Sequence, residues 1–369
     1  MGADERIDLL FLQYLTFFPI DILRRMTEAA GGKAALRSLP GNALFSLGIT
    51  PGLIQIEQYE TARQPDFLNR EEEQLMKKGI RFVSEDDPDF PARLKNIPDA
   101  PFGIFVRGIL PDAEAPAVAL VGARNCSPYG RESAFFFGRE LANAGVNVIS
   151  GMALGIDGYA GRGALEQEGR SFSVLGGGAD LCYPASNVDL YRGLLERGGV
   201  ISERPPGYRA RQADFPLRNR IISGLSDIVC VIEAAEHSGS LITADHALQQ
   251  GREVFALPGR IDDPLSYSCN ALIRNGASML TCPEDLLSAL GRSVSGEHGK
   301  PKRVLLDKEE EALVSCMRSG ELSIDGLIES SGLPFSEIAS LLLQLEMKGV
   351  VTRGGGGTYL LKEQRKSSG

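Results

Sequence analysis

The chain has 369 residues, 43% of them hydrophobic and 24% charged, with three histidines, six cysteines and a net charge of -9. At roughly 150 residues per domain the length predicts two or three domains, and the acidic balance excludes a protein that coats nucleic acid indiscriminately while allowing a basic groove on an acidic body. No apolar run reaches the ~18 residues that span a bilayer, no CxxC pair supports a disulfide framework or zinc site, and the acidic start Met-Gly-Ala-Asp-Glu-Arg is unlike a secretory signal, so a cytoplasmic location is expected.

Residues 1–70 read as short helices. Ile7, Leu9, Leu10, Leu12 and Leu15 form an apolar stripe, and Ala30-Gly31-Gly32 and Leu39-Pro40-Gly41 are loops. This predicts an all-helical module of SAM or helix-hairpin-helix type, with the Gly48-Ile49-Thr50-Pro51 turn as its hairpin; DNA contact and a structural adaptor role are both open. A second domain is expected over 71–290. Gly79 to Val83 and Phe102 to Val106 are its first strands, around a proline-rich stretch from Asp86 to Pro101. From Ala117 apolar runs alternate with helical patterns. The strands are Val118 to Val121, Asn147 to Ile149, Ser171 to Leu175, Val200 to Ser202, Asp227 to Ile232, Glu253 to Leu257 and Ser278 to Leu280. Helices are expected over Tyr129 to Ala142, Ala160 to Glu168 and Leu241 to Gln250. Continuous apolar strands separated by helices predict a doubly wound, mostly parallel α/β sheet buried on both faces. Most of the cysteines are expected as small buried hydrophobes.

Residues 291–303 have linker composition. Over 304–369 three helical segments, Lys308 to Met317, Ser323 to Glu329 and Phe335 to Met347, precede a hairpin from Val350 to Leu361 around Gly354 to Gly357. That order predicts a winged helix whose third helix turns Ile338, Leu341, Leu342 and Leu345 inward. Its outward positions, Ser336, Glu337, Ser340, Gln344 and Glu346, offer no arginine or lysine to a duplex, which favours protein contact.

Ligands of such sheets sit beyond the carboxyl ends of the strands. There the chain carries Gly122 and Arg124, then Ser150 and Gly151, then Gly176-Gly177-Gly178, and finally the helix start Ser238, Gly239 and Ser240. Glycine admits close backbone approach, arginine can fork around a phosphate, and a hydroxyl-rich helix start offers free N-H groups. Between Glu203 and Arg220 five arginines (Arg204, Arg209, Arg211, Arg218, Arg220) face two acids (Glu203, Asp214), an excess of three positive charges in an acidic chain. Phe215 and Asn219 lie within this island. Stacking on a base and burial in the core are both open for Phe215. His237 and His246 as bases, with Asp157, Asp180 or Glu233 as acids, fall into no triad or metal-ligand spacing, and neither a GxGxxG nor a P-loop is present. A binding site without catalysis and without a cofactor is expected.

Six ordered motifs carry a resemblance: Val121 to Arg124, Ser150 to Asp157, Ser202-Glu203, Phe215 to Ser226, Ser238 to Thr243 and Gly251 to Gly259. Together they resemble the bacterial DNA-processing protein A family (DprA, also called Smf), in its long form with a helical module and a winged helix. The resemblance implies an extended Rossmann domain that binds single-stranded DNA, protects incoming strands, and helps load RecA recombinase during natural transformation. It also implies a homodimer through the segment from Leu272 to Leu287. Carried onto this chain, the groove comprises Gly122, Arg124, Ser150, Gly151, Arg209, Arg211, Phe215, Arg218, Asn219, Arg220 and Ser238 to Ser240, with Arg218 and Arg220 as its leading charges. Three positions depart from the pattern: Gly161 replaces a frequent histidine, Ser268 a glycine, and Gln212 a lysine, for which Arg209 and Arg211 compensate. The alternative is a nucleotide-processing enzyme of the phosphoribohydrolase (LOG-like) type, whose Pro-Gly-Gly-x-Gly-Thr segment is replaced here by Gly176-Gly177-Gly178-Ala179-Asp180.

Overall fold

The computed structural model describes residues 3–166, 169–292, 306–318, 323–348, 350–353 and 358–361. Of the predicted linker 291–303 only Gly291 and Arg292 lie among them, and Glu168 and Gly354 to Gly357 lie outside them. The chain divides into two compact units, Met1–Ser293 and Val294–Gly369.

The first unit opens with helices α1 (Ala3–Tyr14), α2 (Ile20–Ala29), α3 (Lys33–Ser38), α4 (Leu53–Ala62) and α5 (Pro65–Lys77), with a tight 3-10 turn over Gly41–Leu47. Leu9, Leu10, Phe11 and Leu12 are consecutive and all buried, so the second half of α1 is enclosed on every side instead of along one stripe, while Asp4 and Glu5 in its first turn are exposed. Its apolar side chains belong to one hydrophobic cluster with Phe82, Phe105, Leu190 and Val200, so the helices of 1–70 share a core with the sheet.

The sheet has nine strands: β1 (Ile80–Ser84), β2 (Gly103–Gly108), β3 (Ala117–Val121), β4 (Asn147–Ser150), β5 (Ser171–Leu175), β6 (Gly199–Ser202), β7 (Ile228–Val231), β8 (Glu253–Ala256) and β9 (Ser278–Met279). Their order is β1-β2-β6-β5-β4-β3-β7-β8-β9. β1 and β2 pair antiparallel with each other, β2 pairs antiparallel with β6, and the remaining neighbours are parallel. Helices α6 (Ala92–Lys95), α7 (Pro128–Asn143), α8 (Ile156–Ala164), α9 (Val188–Arg197), α10 (Asp214–Gly224), α11 (Gly239–Gln249), α12 (Tyr267–Arg274) and α13 (Pro283–Ala289) complete the unit. Alternate strand residues face opposite layers: Ala117, Ala119, Val229 and Val231 pack with Ile221, Ile222 and Ala244, while Val118, Leu120, Ile228 and Cys230 pack with Phe137, Leu141 and Ile156. Burial on both faces is the physical source of the unbroken apolar runs, and the fold is the doubly wound α/β sheet expected.

Two local expectations are corrected. The helix read over Ala160 to Glu168 is α8, which starts at Ile156, because Gly155 at a φ of 71° turns the chain directly into it. Its glycines obscure it in the sequence but are required by packing: a Cβ on Gly163 would collide with the Phe135 carbonyl oxygen of α7, and one on Gly138 with the Ala160 carbonyl. Gly163→Ala is therefore expected to destabilise the protein by about 1 to 3 kcal/mol in urea unfolding, the range of overpacked cores, despite the better helix propensity of alanine. Of the cysteines only Cys230 and Cys269 are buried; the other four are half-buried.

The second unit comprises α14 (Lys308–Arg318), α15 (Ile324–Ser331), α16 (Phe335–Met347), β10 (Val351–Arg353) and β11 (Tyr359–Leu361). Ile338, Leu341, Leu342 and Leu345 of α16 meet Leu313, Met317 and Leu327 in its core, the winged-helix arrangement expected. Ser336, Glu337, Ser340 and Gln344 are exposed and Glu346 is half-buried. Among the described residues no helix is long and apolar enough to cross a membrane.

Candidate nucleic-acid interface

The chain order reverses at β3, which pairs with β4 on one side and β7 on the other. A crevice beyond these strand ends is where an open α/β sheet takes ligands. At the β3–β7 side it is closed by the protein itself. The Glu233 side chain, 1% exposed, accepts from the Ser127 N-H at 2.9 Å and from the Ser127 hydroxyl, so a carboxylate already sits at the N-terminus of α7. A Cβ on Gly122 would lie 2.7 Å from Ile156 and 2.8 Å from the Glu233 carbonyl, which makes this glycine a packing requirement.

The β4–β5 side is built around the Gly151 peptide. Its N-H donates to Asp157 Oδ2 at 2.9 Å, and its carbonyl accepts from Arg218 Nη1 at 2.8 Å; the same nitrogen reaches the Val174 carbonyl. Burial raises the pKa of Asp157, with the Arg218 charge acting against it. Burial also brings the Arg218 guanidinium down to about 10, while Asp157 holds it up. A carboxylate and a guanidinium thus hold the backbone of one residue, Gly151, through its N-H and its carbonyl. Met152, next in the turn, takes a φ of 55°, and its carbonyl is held by Asn187 Nδ2 at 2.9 Å. Ser150 is fully buried beside Ser173. Ser150 and Gly151 therefore form the floor beneath the surface, where no free donor remains on the Gly151 N-H.

The arginine island separates into two classes. Arg204 pairs with Asp214 at 2.7 Å and Arg220 with Glu203 at 2.6 Å, so the two acids of the stretch neutralise two of its five arginines. Arg218 and Arg220, expected as leading surface charges, are 7% and 5% exposed. The reason is that α10 turns them toward the carbonyls of Gly151 and Val174 and the carboxylate of Glu203, all inside the sheet edge. Arg218 Nε and Arg220 Nη1 are buried with no hydrogen-bond partner. Arg209 and Arg211 are exposed. Their loop is fixed over the end of β5, where the Gly178 N-H donates to the Tyr208 carbonyl at 2.8 Å and the Arg211 N-H to Asp214 at 2.8 Å.

Above this floor Arg124 is exposed, and its guanidinium carbon lies 5.1 Å from the Phe215 ring centroid. Phe215 is half-buried at the start of α10, and it meets Tyr183 at 5.8 Å between centroids and 34° between planes. Asn219 donates to the Gly239 carbonyl at 3.2 Å, joining α10 to the start of α11. There Ser238 and Ser240 share a hydrogen bond of 2.8 Å, Ser240 is buried, and Gly239 is exposed with open space around it. The surface thus gathers Arg124, Phe215, Arg209, Arg211, Asn219, Ser238 and Gly239, while Gly122, Ser150, Gly151, Arg218, Arg220 and Ser240 support it. Sequence reasoning missed Tyr183, an aromatic outside every glycine-rich strand end. Asp157 and Glu233 accept from the backbone N-H groups of Gly151 and Ser127, the second at the start of α7, where an acid belongs.

The family model described as DNA recombination-mediator protein A matches residues 81–291, more than half of the chain. The chain belongs to this family, DprA/Smf. The DprA winged helix domain matches residues 300–357. Protein Smf of Escherichia coli is 38% identical over 288 residues, covering 76% of this chain and 77% of that protein. The DNA processing protein DprA of Streptococcus pneumoniae is 42% identical over 202 residues, 55% of this chain and 71% of that protein. The X-ray structure of DNA processing protein A from Streptococcus pneumoniae superposes with a TM-score of 0.64 at 33% identity, covering 78% of this chain and 98% of that one. DNA processing protein A of Helicobacter pylori, solved for its single-stranded DNA binding mode, superposes with a TM-score of 0.51 at 26% identity, covering 58% of this chain and 97% of that one.

Proposed function

We propose that this DprA family member binds single-stranded DNA without chemical conversion, protects incoming strands and helps load RecA recombinase onto them in natural transformation and recombination. The observation that carries the reading is Arg124 stacked on Phe215 at the carboxyl edge of the sheet, with Arg209 and Arg211 exposed nearby. Arginines neutralise phosphates and aromatic rings accept bases of any identity, the two ingredients of single-strand binding. Arg218, Arg220, Ser150 and Gly151 hold this surface from beneath. The exposed edge strand β9, with Met279 53% exposed, supports a homodimer through the segment from Leu272 to Leu287. The nucleotide-processing alternative finds no support, since Glu233 occupies the helix start that a phosphate would need and Asp157 is committed to Gly151.

The test is titration of the full chain against a labelled oligothymidylate and a duplex of equal length, at several salt concentrations. Tighter binding of the single strand, and faster RecA nucleation on it in the presence of the chain, are expected. Equal or weaker binding of the single strand would sink the proposal.

A further inference from the structure

Tyr183 stands out among the aromatic side chains of the first unit. It is 60% exposed, yet its ring is packed against Phe215, which also carries the Arg124 guanidinium. An exposed tyrosine on a mobile loop would mean little, but this loop is tied down on both sides. The Leu181 N-H donates to the Gly178 carbonyl at 3.0 Å, and the Asn187 N-H to the Pro184 carbonyl at 3.0 Å. Asn187 Nδ2 also donates to the Met152 and Ala153 carbonyls at 2.9 and 3.1 Å, and Arg162 holds its Oδ1 at 2.8 Å. The tyrosine loop is therefore built onto the same β4–α8 turn that Asp157 and Arg218 grip. Asp180, nearer the start of this loop, binds Lys78 at 2.7 Å and the Gly207 N-H at 2.8 Å, which links the Tyr183 loop to the loop of Arg209 and Arg211.

We infer that Tyr183 is a nucleobase platform of the groove, a second stacking subsite beside Phe215 that takes the base next along the strand. The inference rests on the single-strand reading above. A ring fixed before binding loses little conformational freedom when a base covers it, which is the condition under which an exposed aromatic contributes affinity. Its 34° tilt to Phe215 opens a wedge between the rings, so that successive bases meet two separate faces instead of one continuous stack. The neighbouring cations, Arg124 on one side and the Arg209 and Arg211 loop on the other, supply the charge for the phosphates of those nucleotides.

The chain contains no tryptophan, so Tyr183→Trp places a single reporter at the proposed subsite. Its fluorescence is expected to be quenched by oligothymidylate and unchanged by an abasic strand carrying the same number of phosphates. Tyr183→Ala is expected to weaken oligothymidylate binding about tenfold, Tyr183→Phe to retain it, and the slope of log affinity against log salt to stay constant in both, because a neutral ring releases no counterions. An unquenched tryptophan together with full affinity of Tyr183→Ala, while the unmodified chain binds the single strand, overturns the subsite alone. A loss in Tyr183→Ala that is equally large on the abasic strand overturns it too, by assigning the ring to support of the arginines. Failure of the unmodified chain to bind any single strand overturns this inference and the reading it rests on.

Discussion

Arg218→Ala is expected to cost about 3 to 5 kcal/mol of stability and to lower the melting temperature by about 10 °C, whereas Arg124→Ala leaves the melting temperature unchanged. Both arginines belong to the same groove in sequence, yet they do different work. Arg218 is buried, bonded to the Gly151 and Val174 carbonyls, with Asp157 on the N-H of the same glycine. Its removal strands two carbonyls and leaves a buried acid without its cation, the circumstance in which truncating one member of a buried charge pair is most damaging. Burial already raises the pKa of Asp157, and loss of Arg218 raises it further. An acid with a raised folded-state pKa binds more protons folded than unfolded, so stability falls as pH rises above the ordinary carboxyl value of about 4. The deficit of Arg218→Ala should accordingly be full near neutrality and shrink as the pH is lowered toward that value. Differential scanning calorimetry across this range checks both claims. A variant that melts like the unmodified chain but loses DNA would instead make Arg218 a contact residue.

This division of labour explains what the sequence made legible. The sheet was readable because both of its faces are buried: in β3 the pattern Ala117 to Val121 is apolar throughout, and every residue of it is buried. The arginine island was equally visible, as an excess of charge between Glu203 and Arg220. What a linear count cannot contain is direction. Arg218 and Arg220 are two residues apart on α10, and both are drawn inward by acceptors supplied from β5, the Gly151 turn and Glu203. Those partners are distant in sequence, so the pairing exists only once the strands are ordered. The same holds for Tyr183, whose value depends on Phe215, thirty-two positions later, folding back beside it. By contrast Arg124 follows directly from β3, and its exposed position was implied by the strand end that precedes it.

The triple variant Arg124→Ala, Arg209→Ala, Arg211→Ala carries the largest expected effect on binding. These are the island and strand-end arginines that remain exposed after Arg204 and Arg220 pair internally and Arg218 is taken into the floor. Each phosphate neutralised on a single strand contributes about 0.7 to the slope of log affinity against log salt. Loss of three should flatten that slope by about 2 and reduce affinity roughly a hundredfold or more near physiological salt, given about 1 kcal/mol for each screened contact. Because all three side chains are exposed, the fold should be unaffected, and the melting temperature serves as the control. The slope decides more than the affinity does. If affinity falls while the slope is unchanged, the arginines act by shaping the groove and the phosphates are neutralised elsewhere; if both fall together, the counterions released on binding come from phosphates seated at these three charges.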